Sequence, residues 1–312
     1  MRFAFERAQT STVATMNTST DTFTWIITGA SRGFGRAIAE RALRQGDAVV
    51  AAVRRPESVD ELTARFPGTF ASVPFDARDA TLARPLVRAA LDRFGRIDAL
   101  VNNAGRGLVG AAEEVSDAEL REAMELHFFV PAALVRAVLP VMREQGSGTI
   151  VQMSSQGGRM SFPGVGAYSA GKFALEGWSE ALAGEVAPFG VRVMIVEPSR
   201  FRTAFNAADV LAVTDVSPVY RDVLATVRGD LAGADGIQEG DPVRAADVIV
   251  DLVHGDGPPL RLPLGAEAVE RIGASYGANL TALRQWADTA RATDFPDAPP
   301  SSRPVSSWVG SV

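Results

Sequence analysis

The chain has 312 residues, 46% hydrophobic and 22% charged, with a net charge of −6 and a pI near 5.2. That composition suits a globular protein of one large domain or two small ones, and it lacks the basic stripe that nucleic-acid binding needs. There is no cysteine and there are only two histidines, His127 and His254, so no disulfide, thiolate nucleophile or metal site is expected; no apolar run approaches the 18 residues of a membrane span.

Residues 1–22 are polar and rich in Ser and Thr. They read as a disordered extension, with a transit peptide as the minor alternative and Met16 as an alternative start. Short apolar runs then alternate with longer amphipathic ones. Strands are expected at 23–28, 48–53, 69–75, 97–102, 148–153 and 191–198. Helices are expected at 36–46, 80–95, 117–145 and 167–187. The apolar runs show no period-two alternation, as in strands buried on both faces. Strand–helix alternation over this length predicts an α/β fold, a doubly wound parallel sheet in a single domain spanning 23–290. The pattern loosens over 199–240, which reads as a mobile substrate lid. A helix from Pro242, a short strand at 259–264 and a last helix to about Asp288 complete the domain. The Pro- and Ser-rich stretch 291–312 reads as a flexible tail that lies over a neighbouring surface through Trp308.

The first expected strand runs into TGASRGFG (28–35) and then directly into a helix. Gly29, Gly33 and Gly35 allow a tight turn and close backbone approach to a pyrophosphate, and the helix N-terminus adds free N–H groups. A glycine trio alone is a weak signal; its place between a buried strand and a helix strengthens it. An acid accepting the ribose 2′-OH of NAD is expected about 20 residues on. Arg54 and Arg55 stand there instead, no acid occurs before Glu57, and Arg32 lies in the loop itself. Guanidiniums suit a 2′-phosphate, so NADP(H) is the expected cofactor.

TGASRGFG, NNAG (102–105), a Ser ahead of YSAGK (168–172) and EPSRFRT (197–203), in this order, resemble a short-chain dehydrogenase/reductase over roughly residues 23–205. The resemblance implies a Rossmann-type domain, a nicotinamide cofactor and hydride transfer at a carbonyl or hydroxyl carbon. It makes Ser155, Tyr168 and Lys172 the catalytic set. It assigns the cofactor to the loop residues Gly29, Ser31, Arg32, Gly33, Phe34 and Gly35, with Asp76 and Ala77 at the adenine. Asn103, Ala104 and Gly105 would line the cofactor, Tyr168 and Lys172 would touch it, and Pro198 and Thr203 would hold the carboxamide. Two departures stand out. Ser199 replaces the Gly after the proline, and His127 falls where the family carries a catalytic Asn.

Lys172 is the only lysine of the chain. It lies four residues after Tyr168, on the same helical face. An ammonium about 4 Å from a phenolate gains roughly 4 kcal/mol at an effective dielectric near 20. That predicts a Tyr168 pKa lowered by about one to three units after discounting for water. A compact ammonium also serves several acceptors at once where a planar guanidinium does not. Pro131 predicts a free main-chain carbonyl at His127, four residues back. The His127 ring is expected either as a relay or as a satisfied inward side chain.

Substrate contacts are expected from 106–109, 156–163 and 199–240. Phe162, Val165, Phe201 and Phe205 would form an apolar pocket for a small carbonyl or alcohol substrate, while Arg159, Arg200 and Arg202 would meet an anion or solvent. A cytoplasmic homodimer or homotetramer is expected, with no nucleic-acid or membrane partner. Two alternatives stay open: a catalytically silent NADP(H)-binding protein, and an epimerase or dehydratase using the same site.

Overall fold

The computed structural model describes residues 22–207, 209–255 and 257–299. Its strands are β1 (Thr24–Thr28), β2 (Ala48–Val53), β3 (Phe70–Pro74), β4 (Ala99–Asn102), β5 (Leu108–Val109), β6 (Gly148–Met153), β7 (Val191–Pro198), β8 (Ala212–Val213) and β9 (Arg261–Leu264). Its helices are α1 (Gly33–Gln45), α2 (Asp60–Arg65), α3 (Ala83–Phe94), α4 (Asp117–Met124), α5 (Val130–Gln145), α6 (Gly166–Val186), α7 (Arg221–Gly233), α8 (Pro242–His254), α9 (Ala266–Gln285) and α10 (Ala287–Arg291). The extension, apart from Thr22, and the tail beyond Pro299, with Trp308, lie outside the described residues.

Seven strands form one parallel sheet in the order β3-β2-β1-β4-β6-β7-β9. This is the doubly wound α/β architecture expected from the sequence. Strands β1, β2, β4 and β6 are buried along their whole length, because helices cover both faces and leave no solvent side to alternate towards. One face packs Ile38, Ala39 and Ala42 of α1 and Ile249, Val250 and Val253 of α8. The other packs Leu86 and Ala90 of α3, Leu134 and Val138 of α5 and Leu182 of α6. The order reverses at β1, so the crevice between the C-terminal ends of β1 and β4 is the ligand position of such sheets.

Local signals set the helix ends. Gly46, Gly95 and Gly146 take left-handed φ of 100°, 79° and 68° where α1, α3 and α5 stop. Ser116 and Glu119 form a capping box that starts α4. The 199–240 stretch is more ordered than its composition suggests. It contains α7 and β8, and β8 pairs in parallel with β5 across the C-terminal edge of the main sheet.

The expected helix 117–145 is long and apolar enough by composition to cross a bilayer, but here it packs against the sheet as a core element. It runs unbroken but is not α-helical throughout. A π-type turn over Glu125–Phe129 separates α4 from α5, and the Val130 N–H donates to the Glu125 carbonyl five residues back. The extra residue absorbs Pro131, which falls in the first turn of α5, where a missing N–H costs little. Pro131→Ala is expected to change unfolding free energy by less than about 1 kcal/mol, against the roughly 3 kcal/mol of a true interior proline; urea titration of both proteins checks this.

Candidate active site

A cavity of about 600 Å³ opens at the C-terminal ends of β1, β4, β6 and β7. One end is the 28–35 turn. Gly29 and Gly33 take φ of 67° and 58° there, a region that side chains avoid. The turn is bolted to the end of β4. The Thr28 hydroxyl oxygen accepts the N–H groups of Asn103 at 2.9 Å and Ala104 at 3.0 Å, and the Asn103 amide donates to the Thr28 carbonyl at 2.8 Å. Gly35 is a packing residue outside the cavity wall: a Cβ on it would stand 2.5 Å from the Gly29 carbonyl and 2.5 Å from the Asn103 amide. No side chain caps the first turn of α1, and no acid lies within that turn.

At the other end Ser155, Tyr168 and Lys172 come together. Ser155 follows β6; its hydroxyl oxygen accepts the Gly157 N–H at 3.0 Å, and the hydroxyl hydrogen-bonds Tyr168. Tyr168 and Lys172 share one face of α6. Lys172 is 5% exposed, and its ammonium donates to the Met153 carbonyl at 2.6 Å. It lies 5.8 Å from the centre of the Tyr168 ring. Burial pushes the phenol up to about 12, against a smaller downward pull from Ser155. The expected lowering of Tyr168 by Lys172 is therefore not realised, because the ammonium is turned to a carbonyl and burial of the phenol dominates. Burial also lowers Lys172 to about 8, with Glu176 acting in the opposite direction.

His127 is brought into the same corner. Its ring meets Tyr168 edge-on at 5.1 Å between centres, and Nε2 lies 3.0 Å from the Arg106 carbonyl. A carbonyl only accepts, so Nε2 carries the proton and Nδ1 is a bare acceptor. Nδ1 is buried without a partner. Burial holds the ring well below the ordinary histidine range, and the Lys172 charge adds to that.

Of the cofactor residues named from the sequence, Ser31, Arg32, Phe34, Arg54, Asp76, Ala77, Asn103, Ala104, Gly105, Pro198 and Thr203 line the cavity with Gly29 and Gly33. Arg55 is exposed and, like Gly35, lies outside the lining. Arg32 pairs with Asp209 at 2.9 Å, and Asp76 is held by Arg78 at 2.7 Å. Phe162, Val165, Phe201 and Phe205 all reach the cavity, and Phe201 also packs on Phe34. Arg159, Arg200 and Arg202 are engaged by groups of the chain itself, and of the three only Arg200 lines the cavity. Arg159 faces Glu176 and Glu197, Arg200 pairs with Asp230, and Arg202 donates to the Gln238 carbonyl. Sequence reasoning missed Arg78, which bridges Asp76 to Glu122, and Leu211, which β8 and the preceding turn bring to the wall. Neither carries a motif or a periodicity; both depend on long-range packing.

The sequence model for short chain dehydrogenases matches residues 24–212. Oxidoreductase BOA17 of Botryotinia fuckeliana is 35% identical over 86% of this chain and 98% of its own. A 3-ketodihydrosphingosine reductase of Bacteroides thetaiotaomicron is 40% identical over 77% of this chain and 87% of its own. The crystal structure of a short-chain dehydrogenase from Streptomyces avermitilis superposes with a TM-score of 0.82 at 44% identity, covering 88% of this chain and 99% of that one.

The chain has two histidines, so a proton NMR titration resolves them. The buried, cation-flanked His127 is expected to keep the chemical shifts of a neutral ring from pH 7.5 down to 5.5. A midpoint near 6.5 for that residue would contradict the environment described here.

Proposed function

The chain belongs to the short-chain dehydrogenase family, and from that premise we propose that it is an NADP(H)-dependent oxidoreductase. It moves a hydride between the cofactor and the carbonyl or hydroxyl carbon of a small, apolar substrate. The observation that carries this reading is the meeting of Ser155, Tyr168 and Lys172 in a buried corner of the cavity that begins at the glycine turn. A dinucleotide is supported by the left-handed Gly29 and Gly33, the uncapped start of α1 and the absence of an acid in its first turn. The 2′-phosphorylated form is supported by Arg32 and Arg54 in the cavity wall, with no acid at the end of β2. The Arg32–Asp209 pair is solvent-exposed, and such pairs are weak enough for an incoming phosphate to displace.

When bound, the nicotinamide supplies or takes up the hydride. Tyr168 holds the proton for the substrate oxygen. A phenol kept protonated to about 12 is poised to donate to an alkoxide-like oxygen at neutral pH. The Ser155 hydroxyl orients the same oxygen and offsets its charge. Lys172, held on the Met153 carbonyl, keeps a positive charge in the same buried corner. Phe162, Val165, Phe205 and Leu211 favour an apolar substrate, and the 199–240 segment forms the lid over it. The reductase activity in the Bacteroides relative's description agrees with a keto group as the reacting centre. Exposed Phe129 and Phe173 support self-association as a homodimer or homotetramer, and the cytoplasm is the proposed setting. A panel of carbonyl compounds with NADPH, followed at the absorbance of the reduced cofactor, tests the activity. Failure of every ketone and aldehyde, with NADPH still bound, would favour the silent-binding alternative.

NADPH is expected to bind at least about tenfold tighter than NADH, the difference of roughly 1.4 kcal/mol that one good charged contact supplies. Arg54→Asp is expected to erase or invert that ratio in fluorescence titrations. Equal affinities in the unmodified protein would reject the cofactor assignment.

Tyr168→Phe is expected to fold and bind NADPH, and to lose activity by about 10²- to 10⁴-fold, the usual scale of a general acid. Lys172→Arg keeps the charge but places a planar fork where a single carbonyl receives the ammonium, so most activity is expected to go. Steady-state rates on one good substrate check both.

A further inference from the structure

Behind Lys172 lies a group of buried charges that the reaction above leaves unused. Glu176, one turn further along α6, is 3% exposed, and Glu197, next to last in β7, is 2% exposed. Two guanidiniums serve both acids. Arg159, just after β6, lies 3.6 Å from each. Arg261, on β9, lies 3.3 Å from Glu176 and 3.5 Å from Glu197, and also reaches the exposed Glu180 at 2.6 Å. The phenol of Tyr276, on α9, meets Arg159 by both a hydrogen bond and a ring contact. The pocket is shaped around the Glu176 side chain. A Cβ on Gly158 would stand 2.6 Å from the Ser154 hydroxyl and 3.0 Å from Glu176 Cγ.

Such a quartet is an expensive way to fill a core, since apolar side chains of similar volume stabilise as well or better. Its place suggests what it does. The charged and titratable groups around Lys172 are Tyr168 and Glu176 on α6 and His127 on the π-type turn. Beyond Glu176 come Arg159, Glu197, Arg261 and Tyr276 from the elements packed behind it. His127 brings no negative charge. Burial pushes both acids upward, Glu197 to about 7 with the Glu176 charge adding to it, and Arg159 and Arg261 pull both back towards the ionised form. Glu176 stands at i+4 from Lys172, so both project from one face of α6 on adjacent turns, and it acts on the ammonium through space while the ammonium itself is bonded to the Met153 carbonyl.

We propose that Glu176 is a positioning residue for Lys172: a buried carboxylate, fixed by Arg159 and Arg261, that keeps the ammonium charged in the corner it shares with Tyr168. This rests on the reading of Lys172 as part of the reaction. Burial drives an ammonium towards its neutral form, and a fixed carboxylate one turn away opposes that. Glu176 acts on Lys172 in that direction. Without the carboxylate the ammonium gives up its proton at lower pH, and a rate that needs the ammonium is lost at lower pH.

Lys172 is the only lysine, so full-length protein labelled with 13Cε-lysine gives one side-chain signal whose titration is read directly. Glu176→Gln is expected to lower that midpoint by about one pH unit. The alkaline limb of kcat is expected to move with it, while NADPH affinity stays within about twofold. Glu176→Asp is expected to recover at least half of the shift. If Glu176→Gln does not fold, Glu176→Asp is titrated alone, and a smaller downward shift is expected. An unmoved midpoint in the variant that folds overturns the proposal. A midpoint that moves while the kcat profile stays fixed overturns the catalytic reading of Lys172, and the proposal with it.

Discussion

The bond from the Lys172 ammonium to the Met153 carbonyl, 2.6 Å long, is the contact around which the rest of the site is arranged. An ammonium this deeply buried costs several kcal/mol unless its donors are met. A parallel sheet offers one place to meet them. Carbonyls at the C-terminal end of a strand run out of ladder partners, and β6 ends at Met153, beneath the face of α6 that carries Lys172. The cavity follows from the same geometry, since strand order reverses beside β4 and the loops diverge there.

Other features answer to the cost of that one charge. Beside it the helix pair comes close: a Cβ on Gly171 would lie 2.8 Å from His127 Cβ. A charged imidazole so near a buried ammonium would be repelled, and His127 is held neutral. The π-type turn places that ring edge-on against Tyr168, with Nε2 spent on the Arg106 carbonyl. An insertion of one residue in a helix thus sets both the direction of the ring and its tautomer. The same insertion accommodates Pro131, so the proline is part of the device that aims His127.

The framework was legible because its signals are local. Buried strands announce themselves as unbroken apolar runs, and AVVAAV, GTIVQM and VRVMIVEP became β2, β6 and β7 at the expected boundaries. Spacing carried Ser155, Tyr168 and Lys172 to one corner because a strand end and a helix face fix those positions within a few residues. The misreadings have a common cause in long-range contact. Arg55 follows Arg54 in sequence, yet only Arg54 reaches the cavity, because successive residues leaving a strand point opposite ways. Arg159 looked like a free cation and is enclosed by two acids from α6 and β7. The order in 199–240 escaped notice because a two-residue strand such as β8 has no periodicity of its own and exists only through pairing with β5.

The solitary lysine follows from where each cation stands. In a chain whose other 30 basic residues are arginines, several of the arginines that pair do so as forks. Arg78 spans both oxygens of Asp76, Arg96 both of Asp98 and Arg200 both of Asp230. That geometry suits a carboxylate, where a planar group meets two acceptors side by side. The corner under Tyr168 presents something different: one carbonyl in line with the helix face, a phenol ring on one side and a histidine ring behind it. A guanidinium there would satisfy one N–H and bury four others without partners. An ammonium is a smaller cation whose three donors can be shared around a point, and Glu176 one turn away opposes the loss of its charge on burial. The identity of residue 172 is thus decided by the number of acceptors in reach rather than by its charge alone.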